Sequence, residues 1–200
     1  MARAPSFVGV ILAAGESSRM GRDKALLPWH GNTFLGAAIE SLQPHCDLVT
    51  VVAGGNADSF KPIVYSRGAF LLVNPQPELG QFSSLRLGLQ DVLNRGRDAA
   101  IVTLVDRPAA SSKTVGELRR VFLEACVAGT WAVVPEYGGK HGHPIVVGRE
   151  MIQRFLDAPM ASNAREVEHA TQKMVRYVPV NDGNVIANVD TPEEYAQLQP

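Results

Sequence analysis

Phe7 to Pro28 reads FVGVILAAGESSRMGRDKALLP. Its first half is a short apolar run rich in β-branched residues, and the run ends in Ala13-Ala14-Gly15. The second half turns abruptly polar, with Arg19, Arg22 and Lys24 set among Gly15 and Gly21. This pattern predicts a buried strand that opens into a small-residue, basic loop. Such a loop suits a polyphosphate, because glycine lets backbone N–H groups approach the oxygens and the cations neutralise their charge. Two common phosphate loops are excluded. The stretch carries neither the GxxxxGK[ST] of P-loop NTPases nor the GxGxxG of dinucleotide-binding folds.

Downstream, strand-like and helix-like segments alternate. Thr33 predicts a cap for a helix through Phe34, Leu35, Ala38, Ile39 and Leu42 that stops before Pro44. The run LVTVVA between Asp47 and Gly54 predicts a strand covered on both faces. Asn56 to Tyr65 reads as a short helix limited by Pro62, and Ala69 to Val73 as a strand. Ser83 or Ser84 is expected to begin a helix through Leu85, Leu89, Val92 and Leu93. Ala99 to Val105 is the clearest strand, and Ser111 or Ser112 caps the helix after it. Trp131 to Pro135 and Ile145 to Val147 read as strands joined through a Gly138-Gly139 turn. Glu150 to Leu156 and Glu166 to Thr171 read as helices, Met174 to Val180 and Val185 to Val189 as closing strands. Thr191-Pro192-Glu193-Glu194 is a strong helix start. The expectation is one α/β domain over residues 1–200, a three-layer, doubly wound, mostly parallel sheet with a small antiparallel element.

Composition narrows the function. At 46% hydrophobic and a formal net charge of -1, the chain lacks the basic bias of a nucleic-acid or membrane-surface binder. Cys46 and Cys126 are isolated, which argues against structural zinc or a disulfide framework and fits a reducing cytoplasm. The apolar run Phe7 to Ala14 is at the lower limit for a secretory signal and is strand-like, and no run is long enough to span a bilayer. A soluble, cytoplasmic protein is expected.

Open parallel sheets bind ligands at the carboxyl ends of their strands. The polar residues predicted at those ends are Gly15 to Lys24, Asn74 to Ser84, Asp106-Arg107-Pro108 and Asn188-Val189-Asp190. Plainer roles stand beside the chemical ones. Asp106 could end a strand, Ser83 and Ser84 could cap a helix, Asp190 could cap the last helix, and His143 could be a turn residue between Gly142 and Pro144.

The motif LAAGESSRMGRDKALLP resembles the signature of the molybdenum cofactor nucleotidyltransferases, the MobA-like NTP transferases, and most of all the molybdopterin cytidylyltransferases. The related guanylyltransferases share RMGxxK but usually read Ala-Gly-Gly where this chain has Ala13-Ala14-Gly15. ELGQFSSLRLGL, Leu104-Val105-Asp106-Arg107-Pro108, Gly142-His143-Pro144 and Val189-Asp190-Thr191-Pro192 are similar to the family's later segments, in order. The resemblance implies a Rossmann-like fold of the nucleotide-diphospho-sugar transferase kind. It also implies Mg²⁺-dependent transfer of CMP from CTP to the terminal phosphate of molybdopterin, with release of pyrophosphate.

Carried over by position, the family's nucleotide contacts fall on Leu12, Ala13, Ala14, Gly15, Arg19 and Lys24, and on Asn74, Gly80, Ser84 and Asp106. Arg19, Lys24 and Asp106 are the implied catalytic residues, Asp106 and Asp190 the implied Mg²⁺ ligands, and His143 the implied acceptor contact. Implied partners are a nucleoside triphosphate and a phosphorylated pterin, with transient contact to a molybdoenzyme or its chaperone, and no nucleic acid or membrane. Many family members carry Asp where this chain has Asn188, which weighs against a two-metal site. His141 is a weaker candidate, and His30, His45 and His169 are read as surface or packing residues. GTP in place of CTP, another phosphorylated acceptor, and a non-catalytic nucleotide- or pterin-binding module are the alternatives. The presence of both Lys24 and Asp106 speaks against the last.

Overall fold

β1, Phe7–Ala13, is buried at every residue and lies in the interior of the main sheet. The computed structural model describes residues 4–15 and 20–198. β1 pairs in parallel with β4, Leu48–Ala53, on one side and with β6, Ala99–Leu104, on the other. Beyond β4 lies the parallel edge strand β5, Phe70–Val73. Beyond β6 lies β9, Ile145–Gly148, which runs antiparallel to β6 and to β7, Ala132–Tyr137. β10, Val175–Pro179, closes that side in parallel with β7. The short β8, Lys140–His141, turns back on β7 through Gly138 and Gly139, both at positive φ.

Alternating residues of β1 feed two cores. Phe7, Ile11 and Ala13 face a cluster that includes Leu35 and Ile39 of α1 (Phe34–Leu42), Phe60 of α2 (Ala57–Ser66) and Leu118 of α4 (Ser112–Ala125). Val8, Val10 and Leu12 face Leu85 and Leu89 of α3 (Gln81–Asn94) and Ile152 and Phe155 of α5 (Arg149–Asp157). Helices therefore cover both faces, as the unbroken apolar runs of β1, β4 and β6 require. Gly88 lets α3 lie close to β1, since a Cβ there would stand 2.7 Å from Val10.

A smaller third cluster joins Leu27, Trp29, Phe34 and Val189 near the carboxyl end of β1. Trp29 belongs to an unexpected hairpin of β2 (Pro28–Trp29) and β3 (Asn32–Thr33), whose turn residues His30 and Gly31 have φ of 46° and 77°. Positive φ at both central positions is what a two-residue turn of this kind demands. The antiparallel content is thus this hairpin plus β8 and β9.

Four expectations need correction. Val185 to Val189 is not a strand: Gly183–Val185 forms a 3-10 turn, and the backbone pairs sideways with loops. There Val185 O accepts the His143 N–H and the Val189 N–H donates to Asp106 O. Consequently Asn188 and Asp190 do not share a strand face; Asn188 Nδ2 donates to Asp190 Oδ2 at 2.6 Å instead. Pro62 lies inside α2 rather than ending it. Its missing N–H leaves only the carbonyl of Asp58 unmatched, and Asp58 is exposed, so water can serve it. α3 starts at Gln81 behind Gly80, whose φ of 88° suits glycine, so neither Ser83 nor Ser84 is its cap. The caps Thr33, Ser111 and Thr191 are as expected, and α6 (Ala164–Ala170) and α7 (Pro192–Gln197) both carry capping boxes.

Candidate active site

The carboxyl ends of β1 and β6 lie side by side, and Val105 N–H donates to Leu12 O across them. From β1 the chain reaches a 3-10 turn at Lys24–Leu26, capped by Asp23 through the Ala25 N–H at 3.0 Å. Asp23 is itself held: its second oxygen accepts from Asn56 Nδ2 at 2.6 Å, and the same amide reaches the Ala13 carbonyl at 3.4 Å. This brace fixes the direction in which Lys24 leaves the turn. Lys24 is buried, and its Nζ meets Asp190 Oδ1 at 2.7 Å. Asp190 precedes α7, whose first-turn Glu194 accepts from the Asp190 N–H at 2.6 Å.

Asp106 follows β6 and is tied to the same region through its carbonyl, which accepts the Val189 N–H at 3.0 Å. Its carboxylate is only partly screened, with the Arg107 guanidinium 3.4 Å from Oδ1 and Oδ2 accepting from no described residue. Arg107 also lies 3.4 Å from His143 Nδ1 and 3.5 Å from Val185 O. Burial, reinforced by the Arg107 charge, pushes the His143 imidazole down to about 3, so it is neutral at physiological pH. Because β9 runs against its neighbours, the His143 end of that strand comes to the carboxyl edge of the sheet.

The oxygen donors fit a hard divalent cation. Asp106 and Asp190 are carboxylates on adjoining segments, and one or two carboxylates completed by substrate phosphates is the usual Mg²⁺ arrangement. Among the described residues no group of three or more His, Cys, Asp or Glu side chains forms a metal cage. His143 is badly placed as a ligand through Nδ1, which faces a guanidinium.

Two cavities open at this edge. The smaller, about 370 Å³, is lined by Leu12, Ala14, Gly15, Pro77, Gly80 and Ser84 among others. Asn74 stands behind that wall, buried, donating from Nδ2 to Ser83 Oγ and Ser84 Oγ at 2.9 Å each. It orients hydroxyls rather than lining the space. The larger cavity, about 850 Å³, shares Leu12, Gly80 and Gln81 with the smaller. His143, Tyr177 and residues of α6 form its other side. His169, expected only as a surface or packing residue, is exposed on this wall. His141 also belongs here, stacked on Tyr177 at 3.9 Å between ring centres.

Of the residues expected at the site, Leu12, Ala14, Gly15, Gly80 and Ser84 line one cavity, Lys24 meets Asp190, and the Asp106 backbone is tied to Val189 beside Asp190. Ala13 is buried and contributes its carbonyl to the brace. Arg19 lies outside the described residues. Sequence reasoning missed Asp23, Asn56 and the reach of Arg107. The Asp-Arg-Pro motif showed that Arg107 adjoins Asp106, but no local signal showed its contact with His143.

Comparison with known proteins gives the same direction. The model of the family described as the MobA-like NTP transferase domain matches residues 9–180. A protein from Paenarthrobacter nicotinovorans named nicotine blue oxidoreductase is 37% identical, covering 97% of each chain. The molybdenum cofactor guanylyltransferase of Xanthomonas euvesicatoria is 29% identical over 96% of this chain and 94% of its own. The molybdenum cofactor cytidylyltransferase of Escherichia coli is 24% identical over 93% and 92%. The crystal structure of Rv0371c from Mycobacterium tuberculosis, in complex with manganese, superimposes with a TM-score of 0.75 at 26% identity over 96% of this chain and 97% of that one.

Proposed function

The chain belongs to the MobA-like NTP transferase family, and on that premise we propose that it transfers CMP from CTP to the terminal phosphate of molybdopterin, releasing pyrophosphate. One observation carries this reading. The Lys24 ammonium meets the Asp190 carboxylate, and the Asp106 backbone carbonyl is hydrogen-bonded to Val189 next to it, so three distant segments are joined where this chemistry needs them.

In the reaction an oxygen of the acceptor phosphate bonds to the α-phosphorus of the triphosphate. The bond from that phosphorus to the β-phosphate oxygen breaks, and pyrophosphate leaves with the electron pair. A phosphate monoester, with its second pKa near ~6, is already largely dianionic at pH 7 and needs no general base. The neutral His143 is therefore not required to take a proton. Lys24, with Arg19, neutralises charge on the α- and β-phosphates, sharing its ammonium between Asp190 and the incoming oxygens. Asp106 and Asp190 are the residues that would hold Mg²⁺, which would supply charge neutralisation at the phosphates, and the manganese in the Rv0371c complex supports a divalent ion in this family.

Ala14 stands on the wall of the smaller cavity, where a methyl group narrows the space for a base and favours a pyrimidine. Discrimination on this scale is worth about 1–3 kcal/mol. The acceptor lies in the 850 Å³ cavity, which shares a wall with the nucleotide. The whole chain, residues 1–200, works as one catalytic domain in the cytoplasm, in keeping with two unpaired cysteines. No helix among the described residues is long and apolar enough to cross a membrane.

The test is pyrophosphate release from each of the four ribonucleoside triphosphates with Mg²⁺ and molybdopterin. CTP should be used fastest, and Asp106→Ala should abolish release. Release that survives Asp106→Ala, from any triphosphate, overturns the reading.

A second reading rests on the 37% identity to the protein named nicotine blue oxidoreductase, above that of the two transferases compared. On it, the larger cavity holds a heterocycle that is reduced rather than nucleotidylated. Supplying a reduced nicotinamide dinucleotide with an oxidised heterocycle separates the two. Consumption of the dinucleotide favours the second, though the sequence lacks the GxGxxG fingerprint.

A further inference from the structure

We propose that Glu168 reads the acceptor's heterocycle, its carboxylate accepting from the paired N–H donors of a 2-amino-4-oxo pyrimidine edge. This rests on the reading of the acceptor as a pterin.

Glu168 lies on α6 and is the one carboxylate lining the 850 Å³ cavity among the described residues. Lys140, His141, His143, Arg165 and His169 line it too, yet no ion pair or side-chain hydrogen bond joins Glu168 to any described residue. Its backbone carbonyl accepts from Thr171 Oγ1, while among the described residues no donor reaches the carboxyl itself. Burial raises the pKa of that carboxyl, the mark of an acid that gives up water without gaining a protein donor.

Half-buried on the cavity wall and without a protein donor, the carboxylate is open to donors brought by a ligand. A cavity wall that already offers several bases has no need of an acid to bind phosphate, and an acid there opposes it. A ligand that is anionic at one end and presents N–H donors at the other reconciles the two. The rest of the cavity suits a flat ring. Tyr177 and His141 form an aromatic wall with their planes 9° apart, and Leu12 and Leu104 supply an apolar floor. Leu12 also borders the nucleotide cavity, so the phosphate end of a ligand seated here can face the triphosphate.

The test uses pterin and lumazine, two fluorescent heterocycles that differ in carrying an amino or an oxo group at position 2. Wild type should bind pterin at least ~10-fold tighter than lumazine, up to about 100-fold, the range for hydrogen bonds to a charged group. Glu168→Gln keeps the volume but replaces one acceptor oxygen with a donor. It should erase the preference by weakening pterin binding, and leave thermal protection by CTP with Mg²⁺ intact, which reports correct folding. Glu168→Asp should restore part of the preference. A preference that survives Glu168→Gln, or equal binding of both heterocycles to wild type, overturns the assignment. If pyrophosphate release still requires molybdopterin in that case, the transferase reading stands without it. If release is indifferent to molybdopterin, the pterin acceptor falls and this assignment falls with it.

Discussion

Lys24 and Asp190 are 166 positions apart in sequence and 2.7 Å apart in space. Their side chains retain 10% and 27% of their exposure, so the pair is partly shielded from water and its charges act strongly on one another and on any third charge brought close. Lys24→Met removes the ammonium and keeps most of the side-chain volume. Pyrophosphate release should fall at least ~100-fold, the scale seen when one preorganised stabilising group is deleted. The thermal midpoint should move far less, because water still reaches Asp190. Single-turnover rates beside a melting curve check this, and equal losses in both would make Lys24 merely structural.

His143 gives a prediction of a different kind. Its pKa falls from 6.5 to about 3 on folding, so below pH 6.5 the unfolded chain binds a proton that the folded chain refuses. Stability from this group is full above pH 6.5 and is lost as pH falls from there toward 3. Glu168, whose pKa is raised by burial, works in the opposite direction and is common to both proteins compared. Urea denaturation of wild type and His143→Gln across that range should show a shallower acid loss in the variant. Parallel curves would mean that His143 titrates normally in the fold.

Among the elements, the turn before β9 is the most constrained. A Cβ on Gly142 would stand 2.0 Å from the Val185 carbonyl oxygen, a backbone atom that cannot swing aside. That closeness lets Val185 O accept the His143 N–H at 2.8 Å and sets where Arg107 and His143 meet. Gly142→Ala should therefore cost about 1–3 kcal/mol, as overpacking does, and raise the KM for the acceptor more than that for CTP. Calorimetry and initial rates would check it, and an unchanged midpoint would mean that the loop gives way easily.

β1, β4 and β6 were legible because continuous apolar runs have few other places to go, and Thr33, Ser111 and Thr191 because a capping hydroxyl acts within one turn. Strand ends follow from strands, so Lys24 and Asp106 could be placed on one edge, whereas Asp190 was expected at the end of a strand that the fold does not contain. What stayed hidden is non-local. Val185 to Val189 has the composition of a strand, but its backbone hydrogen bonds go to Asp106 and His143, which only the folded chain brings near. The contacts of Asp23 with Asn56 and of Arg107 with His143 likewise depend on partners distant in sequence.

At the scale of the whole molecule, the site depends on how the chain's last helix is fastened to its first loop. Val189 is fully buried against Leu27, Trp29 and Phe34, which at about 1.5–3 kcal/mol for such a side chain anchors the residue next to Asp190. Tyr195 adds a second fastening. Its ring packs edge-on to Phe34 at 6.0 Å, its hydroxyl donates to Pro28 O at 2.7 Å, and the Arg22 guanidinium lies 5.6 Å from the ring centre. The unexpected β2–β3 hairpin thus serves as the surface on which α7 docks, and α7 in turn presents Asp190 to Lys24. Tyr195→Ala should loosen this docking without touching either main core. Affinity for CTP with Mg²⁺ should drop about 10-fold, equivalent to ~1.4 kcal/mol, while pterin binding in the other cavity stays as it was. Titration calorimetry with each ligand separately would show it. If CTP affinity is unchanged, Asp190 is positioned by the packing of Val189, and Tyr195 has no part in the site.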